Sequence, residues 1–166
     1  TDALSDYLFT PSRDADDNLV NEGVEPDRIH FVGNVMVDSL MTVDATLDAD
    51  AVLGGFDLPD AFTFCTLHRA ATVDDAELLS LALDCLDKVQ RHLPIILPMH
   101  PRTRSRIDHF GLKDRVKQMR DLVVVEPVGY RESLVLQKES MFVLTDSAGL
   151  QEESTVFKKP CLTMRP

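Results

Sequence analysis

From Phe62 onward, short apolar runs without polar interruption alternate with stretches of helical spacing. FTFCTLH, PIILPMH, LVVVEP, MFVLTD and PCLTM are the runs. A strand with one wet face alternates apolar and polar residues, whereas a strand apolar on both sides belongs to a parallel sheet covered on both faces. Between the runs, 74–91, 101–110, 130–139 and 149–157 carry helical patterns. In the first of these, Leu78, Ala82, Cys85, Leu86 and Val89 share one face. Strict alternation with short connections predicts an α/β fold, a Rossmann-like doubly wound parallel sheet.

The preceding residues repeat the pattern on a smaller scale. DYLFTPS (Asp6 to Ser12) predicts a strand. A helix is expected over 13–21, with Ser12 at its start and Gly23 beyond its end. RIHFVGN predicts a second strand, and a helix from Asn34 runs into the Asp-rich segment 44–50, the expected domain boundary. The division is therefore 1–42, the end of a first Rossmann-like domain with a linker helix, and 43–166, a second such domain truncated at its C-terminus. The chain starts without Met and stops at CLTMRP directly after a strand-like run, which predicts an internal piece of a longer protein.

Apolar residues make up 44% of the 166, enough for a packed core. A net charge of −11 disfavours a nucleic-acid surface, because phosphates select Lys and Arg. The acid excess fits a salt-adapted protein or simply a solvated mesophilic surface. Cys65, Cys85 and Cys161 are odd in number and form no CxxC pair, so reduced thiols, a cytoplasmic location and no metal site are expected. No run approaches the ~20 apolar residues of a membrane span.

In such a sheet, ligands bind beyond the carboxyl ends of the strands. Three strand ends there carry suitable residues: LHRAATVDD, PMHPRTR and LTDSAGLQEES. A helix opening at Ala148 or Gly149 offers free N–H groups and a positive dipole end, Ser147 adds a hydroxyl, and a diphosphate suits that seat. Glu153, one or two turns on, has the reach to accept both hydroxyls of a ribose, at about 1.5–3 kcal/mol per charge-assisted bond. Simple capping by Ser147, with Glu152 and Glu153 complementing the dipole, explains the stretch equally well. His68 with Arg69 and His100 with Arg102 are suited to phosphate, or else to strand-end capping, surface pairing and the lead into a helix at Pro101. Asp146 is expected to bond its own loop. Asp74 and Asp75 are expected as acids at a helix start, and Arg102, Arg104 and Arg106 as a solvated face.

With these residues in view, the chain resembles the non-hydrolysing UDP-N-acetylglucosamine 2-epimerases. The family's Thr-Asp-Ser-Gly-Gly-x-Gln-Glu-Glu pattern is met by Thr145 to Glu153, with Ala148 in place of the first glycine. His68-Arg69, His100-Pro101, Gly129-Tyr130 and Lys159-Pro160 match further family pairs, and SDYLFTPS and FVGN resemble the close of its first domain. The resemblance spans essentially the whole chain. It implies a glycosyltransferase-B-like fold, two Rossmann-like domains with a nucleotide sugar between them. It further implies that His68, Ser147, Ala148 and Gly149 hold the diphosphate, that Glu153 binds the ribose, and that Gly129 and Tyr130 meet the uracil. Arg69 and His100 match positions that touch a second, regulatory UDP-sugar in bacterial relatives. Ala71 and Thr72 depart from the polar pair usual after His-Arg, and Ser133 stands where an aromatic is common.

The implied reaction interconverts UDP-N-acetylglucosamine and UDP-N-acetylmannosamine: a base removes a proton, UDP leaves by anti elimination, and UDP adds back after protonation of the opposite face. The implied acid and base carboxylates lie upstream of Thr1, so no catalytic residue is expected within this chain. No cofactor and no metal are implied, and relatives are commonly homodimers through the first domain. A glycosyltransferase of the same fold, a hydrolysing 2-epimerase, a UDP-diacetamido-uronic-acid 2-epimerase and a non-enzymatic regulatory domain remain as alternatives.

Overall fold

The computed structural model describes residues 2–54 and 58–165. Two compact units emerge, Thr1–Ala45 and Thr46–Pro166. In the first, strands β1 (Leu8–Thr10) and β2 (Ile29–Phe31) pair in parallel, with Leu8 opposite Ile29. Helix α1 (Arg13–Asn21) links them. Ser12 precedes it but makes no side-chain cap. Gly23 takes φ +89°, a left-handed turn that glycine adopts without steric cost. Helix α2 (Val35–Asp44) starts at Asn34, whose side chain accepts from the Met36 N–H at 3.0 Å.

The second unit opens with α3 (Ala49–Leu53), capped by Asp48. The Asp-rich stretch thus ends in a short helix. There follow β3 (Thr63–Thr66), α4 (Ala70–Val73), α5 (Ala76–Gln90), β4 (Ile95–Pro98), α6 (Pro101–His109), α7 (Lys113–Gln118) and β5 (Leu122–Val125). The chain closes with α8 (Tyr130–Glu139), β6 (Phe142–Thr145), α9 (Ala148–Val156) and β7 (Cys161–Thr163). All the strand pairs are parallel, in the order β5-β4-β3-β6-β7. From β3 the chain steps outward to β5, then returns to place β6 on the other side of β3. The order therefore reverses between β3 and β6.

Both faces of the sheet are covered, which is why its strands are apolar throughout. Cys65, Ile95, Leu97 and Leu144 point to one side, into a core with Leu79, Leu83 and Leu86 of α5 and Ile107 of α6. Phe64, Ile96 and Val143 point to the other, packed with Leu136 of α8 and flanked by Leu53 of α3 and Leu150 of α9. Each fully buried side chain of this kind contributes about 1.5–3 kcal/mol. Cys65 is wholly buried, and burial pushes its thiol pKa upward, with the Asp146 charge and then Cys85 adding to the rise. It is a protonated core residue.

Three local differences from the sequence reading stand out. α4 and α7 are additional short helices. The buried positions of α5 are Leu79, Ala82, Leu83, Leu86 and Gln90, so the face is centred one residue away from Leu78 and Cys85. Arg102 and Arg106 do not form a free solvated face, because both donate to the Asp74 carboxylate. Asp75 alone caps α5, accepting from the Glu77 and Leu78 N–H groups. Among the described residues no helix is long and apolar enough to cross a membrane.

Candidate functional site

Strand order reverses between β3 and β6, the kind of position at whose carboxyl edge open α/β sheets bind ligands. Both strand ends are tied together there. The Thr66 and Thr145 hydroxyls, in register, lie 2.6 Å apart. Asp146, the residue after β6, is 0% exposed. It does not bond its own loop. Its Oδ2 accepts from the backbone N–H groups of His68 (2.9 Å) and Arg69 (2.7 Å), past the end of β3. The Asp146 carbonyl accepts from Arg165 Nε at 2.9 Å, beyond β7. Thr103 of α6 donates to the Leu67 carbonyl, fixing the same loop from the other side.

His68 and His100 line one cavity of about 160 Å³, with Thr66, Pro98, Val128 and Ser133 on its wall. The two rings lie 6.0 Å apart, centroid to centroid. His100 Nδ1 accepts from the Arg102 N–H at 3.1 Å, so this histidine does lead into a helix whose first residue is Pro101. Ser133, in the place of an aromatic, leaves a small side chain on the wall. Arg69 is exposed and precedes α4 without capping it.

α9 begins at Ala148. Ser147 precedes it in extended geometry, and its hydroxyl makes no capping bond, so the helix start keeps its N–H groups free of a side-chain cap. The Ser147 N–H itself is taken by Thr145 Oγ1 at 2.9 Å. Lys158 is the only non-glycine with positive φ among the described residues. Ala148 and Gly149 both have ordinary helical geometry, so alanine in place of the family's glycine carries no backbone penalty.

Glu153 does more than complement the helix dipole. It is 8% exposed, and its Oε2 accepts from Gln137 Nε2 at 2.9 Å. Gln137, fully buried on α8, accepts in turn from Ser154 Oγ at 2.8 Å. Burial raises the Glu153 pKa above its ordinary value, against the lowering effect of hydrogen bonds from Gln137 and Tyr130. Tyr130, the first residue of α8, is raised by burial and by the Glu153 charge. Gly129 precedes it, with the Glu132 carboxylate folded back so closely that an added Cβ would lie 2.6 Å from it.

The residues fall into two groups. His68 and His100 share the cavity, while Ser147, Ala148, Gly149, Glu153 and Tyr130 cluster around α9 and the start of α8. Asp146 joins the groups. For Asp146 the sequence pointed only to a bond within its own loop, and for Gln137 it pointed to no role. The signal for Gln137 was a polar residue closing the otherwise apolar run Leu134-Val135-Leu136 on α8.

Comparisons with known proteins agree along the whole chain. The UDP-N-acetylglucosamine 2-epimerase family pattern matches residues 1–166. A UDP-N-acetylglucosamine 2-epimerase of Methanocaldococcus jannaschii is 37% identical over 171 residues, covering 99% of this chain and 47% of that protein. A UDP-2,3-diacetamido-2,3-dideoxy-D-glucuronate 2-epimerase of Pseudomonas aeruginosa is 43% identical, covering 99% of this chain and 45% of that one. The crystal structure of the M. jannaschii epimerase in complex with UDP-GlcNAc and UDP superposes with a TM-score of 0.84 at 35% identity, over 99% of this chain and 48% of that one. The chain spans about half the length of the curated relatives it matches. By its full-length match and its fold, the chain belongs to the UDP-N-acetylglucosamine 2-epimerase family.

Proposed function

We propose that the protein carrying this chain is a UDP-N-acetylglucosamine 2-epimerase, and that these residues are its UDP-holding half. The observation that carries the reading is Glu153, an acid kept buried one to two turns behind the uncapped start of α9, beside the point where strand order reverses. In this reading the N–H groups of Ala148 and Gly149 with Ser147 bind the diphosphate, and the oriented dipole stabilises the charge that develops as UDP departs. His68 contributes from the opposite wall, Glu153 takes the ribose hydroxyls, and Gly129 and Tyr130 border the base. Arg69 and His100 belong to the rim where a second UDP-sugar would regulate the reaction. The carboxylates that move protons at the sugar carbon come from the N-terminal part of the protein, so the 166 residues alone bind UDP without turning it over. The parent acts as a homodimer in the cytoplasm and needs no metal or nicotinamide.

NMR analysis of the whole protein with UDP-N-acetylglucosamine tests this: the 2-epimer should appear with no acceptor added. Product formation only with an acceptor would favour a glycosyltransferase, and free sugar with UDP a hydrolysing enzyme. The 43% identity to the P. aeruginosa protein favours a second reading, epimerisation of a UDP-diacetamido-uronic acid. Parallel assays with both sugars decide between them by relative kcat/KM.

A further inference from the structure

Asp146 is wholly buried, and its two oxygens have different fates. Oδ2 is saturated by the His68 and Arg69 N–H groups. Oδ1 has no hydrogen-bond partner, yet buried polar oxygens nearly always find one. A donor within reach is His68 Nδ1 at 3.3 Å, on a side chain 41% exposed that borders the cavity. The backbone of His68 is already pinned to the same carboxylate, so a small rotation of the ring completes the bond. The partner of one ring nitrogen sets which nitrogen is left for a ligand.

We propose that Asp146 is a positioning residue for His68: its buried Oδ1 takes the Nδ1–H, fixing the ring plane and presenting Nε2 to the cavity. His100 is held in the opposite sense, because its Nδ1 accepts from the Arg102 N–H and leaves Nε2 as the donor. The cavity therefore meets its ligand with two histidines of contrasting tautomer. Where His68 engages a diphosphate, which rests on the function proposed above, Nε2 must carry a proton as well. The ring then stands between two anions, with Asp146 as its fixed counter-ion.

Asp146→Asn separates this role from a merely structural one. The amide oxygen still accepts both backbone N–H groups, while the NH2 faces Nδ1 and reverses the tautomer. In the whole protein labelled with 15N-histidine, the His68 signal, assigned by its loss in His68→Gln, should show a protonated Nδ1 in the wild type and an unprotonated one in the variant. UDP affinity, by calorimetry, should fall about tenfold in Asp146→Asn, the lower end of what losing an orienting partner costs. It should change no further when the substitution is added to His68→Gln. An unprotonated Nδ1 in the wild type overturns the proposal even if the variant does not fold. Equal UDP affinity in wild type and Asp146→Asn also overturns it. A wild type that binds no UDP refutes the proposed function, and the nitrogen signals still decide the role of Asp146.

Discussion

Asp74 and Glu153 are both acids beyond the carboxyl edge of β3 and β6, and their surroundings act on them in opposite directions. Asp74 is open to water, with its side chain 31% exposed, and lies between the Arg102 and Arg106 guanidiniums. Their hydrogen bonds hold its carboxyl down at about 2. Glu153 is buried against α8, meets amide and phenol groups, and is pushed up by that burial. Exposed pairing favours the charge cheaply, because water screens most of its value. Burial with neutral partners works against the charge, a cost that fits the ribose-binding role proposed above. The contrast separates a surface brace from the proposed binding group.

The sharpest way to break this comparison is to remove each acid and measure UDP affinity. Glu153→Ala should weaken UDP about 10- to 100-fold, the loss of one charge-assisted bond or more, whereas Asp74→Ala should leave it unchanged. Equal effects in calorimetry would erase the distinction. Next in size is Gln137→Leu. It removes the amide donor from Glu153 Oε2, while Ser154 Oγ keeps the Leu150 carbonyl, and should cost about 1–3 kcal/mol in urea unfolding. A neutral result would mean that the pair is not held in place by Gln137.

The pH dependences should have opposite signs. Glu153 binds its proton more tightly when folded, so it lowers stability as pH rises above its ordinary value of 4.5. Glu153→Gln should therefore gain on the wild type between acid and neutral pH. Asp74 binds its proton less tightly when folded, so its contribution is present above 3.8 and is lost as pH falls through about 2. Asp74→Asn should lose a little melting temperature at neutral pH, an effect that shrinks in high salt. A salt-insensitive loss would move Asp74 out of the surface class.

Much of the architecture was visible in the residue pattern because it rests on local periodicity. α8 spans Tyr130–Glu139 as the spacing predicts, and the apolar runs all became strands of one parallel sheet. The buried face of α5 was not legible. Leu78, Leu79, Leu81, Leu83 and Leu86 make that helix apolar nearly all round, so periodicity alone picks no face; packing against β4 and β5 picked Leu79 and Leu83. Likewise, Thr145 to Glu153 marked the α9 site by motif, but nothing local could show that the Ser147 hydroxyl would leave the helix uncapped or that Gln137 would meet Glu153.

By itself, then, the sequence determined a doubly covered parallel sheet, the helix starts at its carboxyl edge and the family to which the chain belongs. These follow from contacts within a few residues, where spacing translates directly into geometry. Tertiary structure alone decided that Asp146 reaches past its own loop to His68 and Arg69, and that Glu153 is buried while Asp74 is braced in water. Those outcomes depend on which strands become neighbours. Residues 77 and 78 positions apart meet only after β6 has returned to lie against β3.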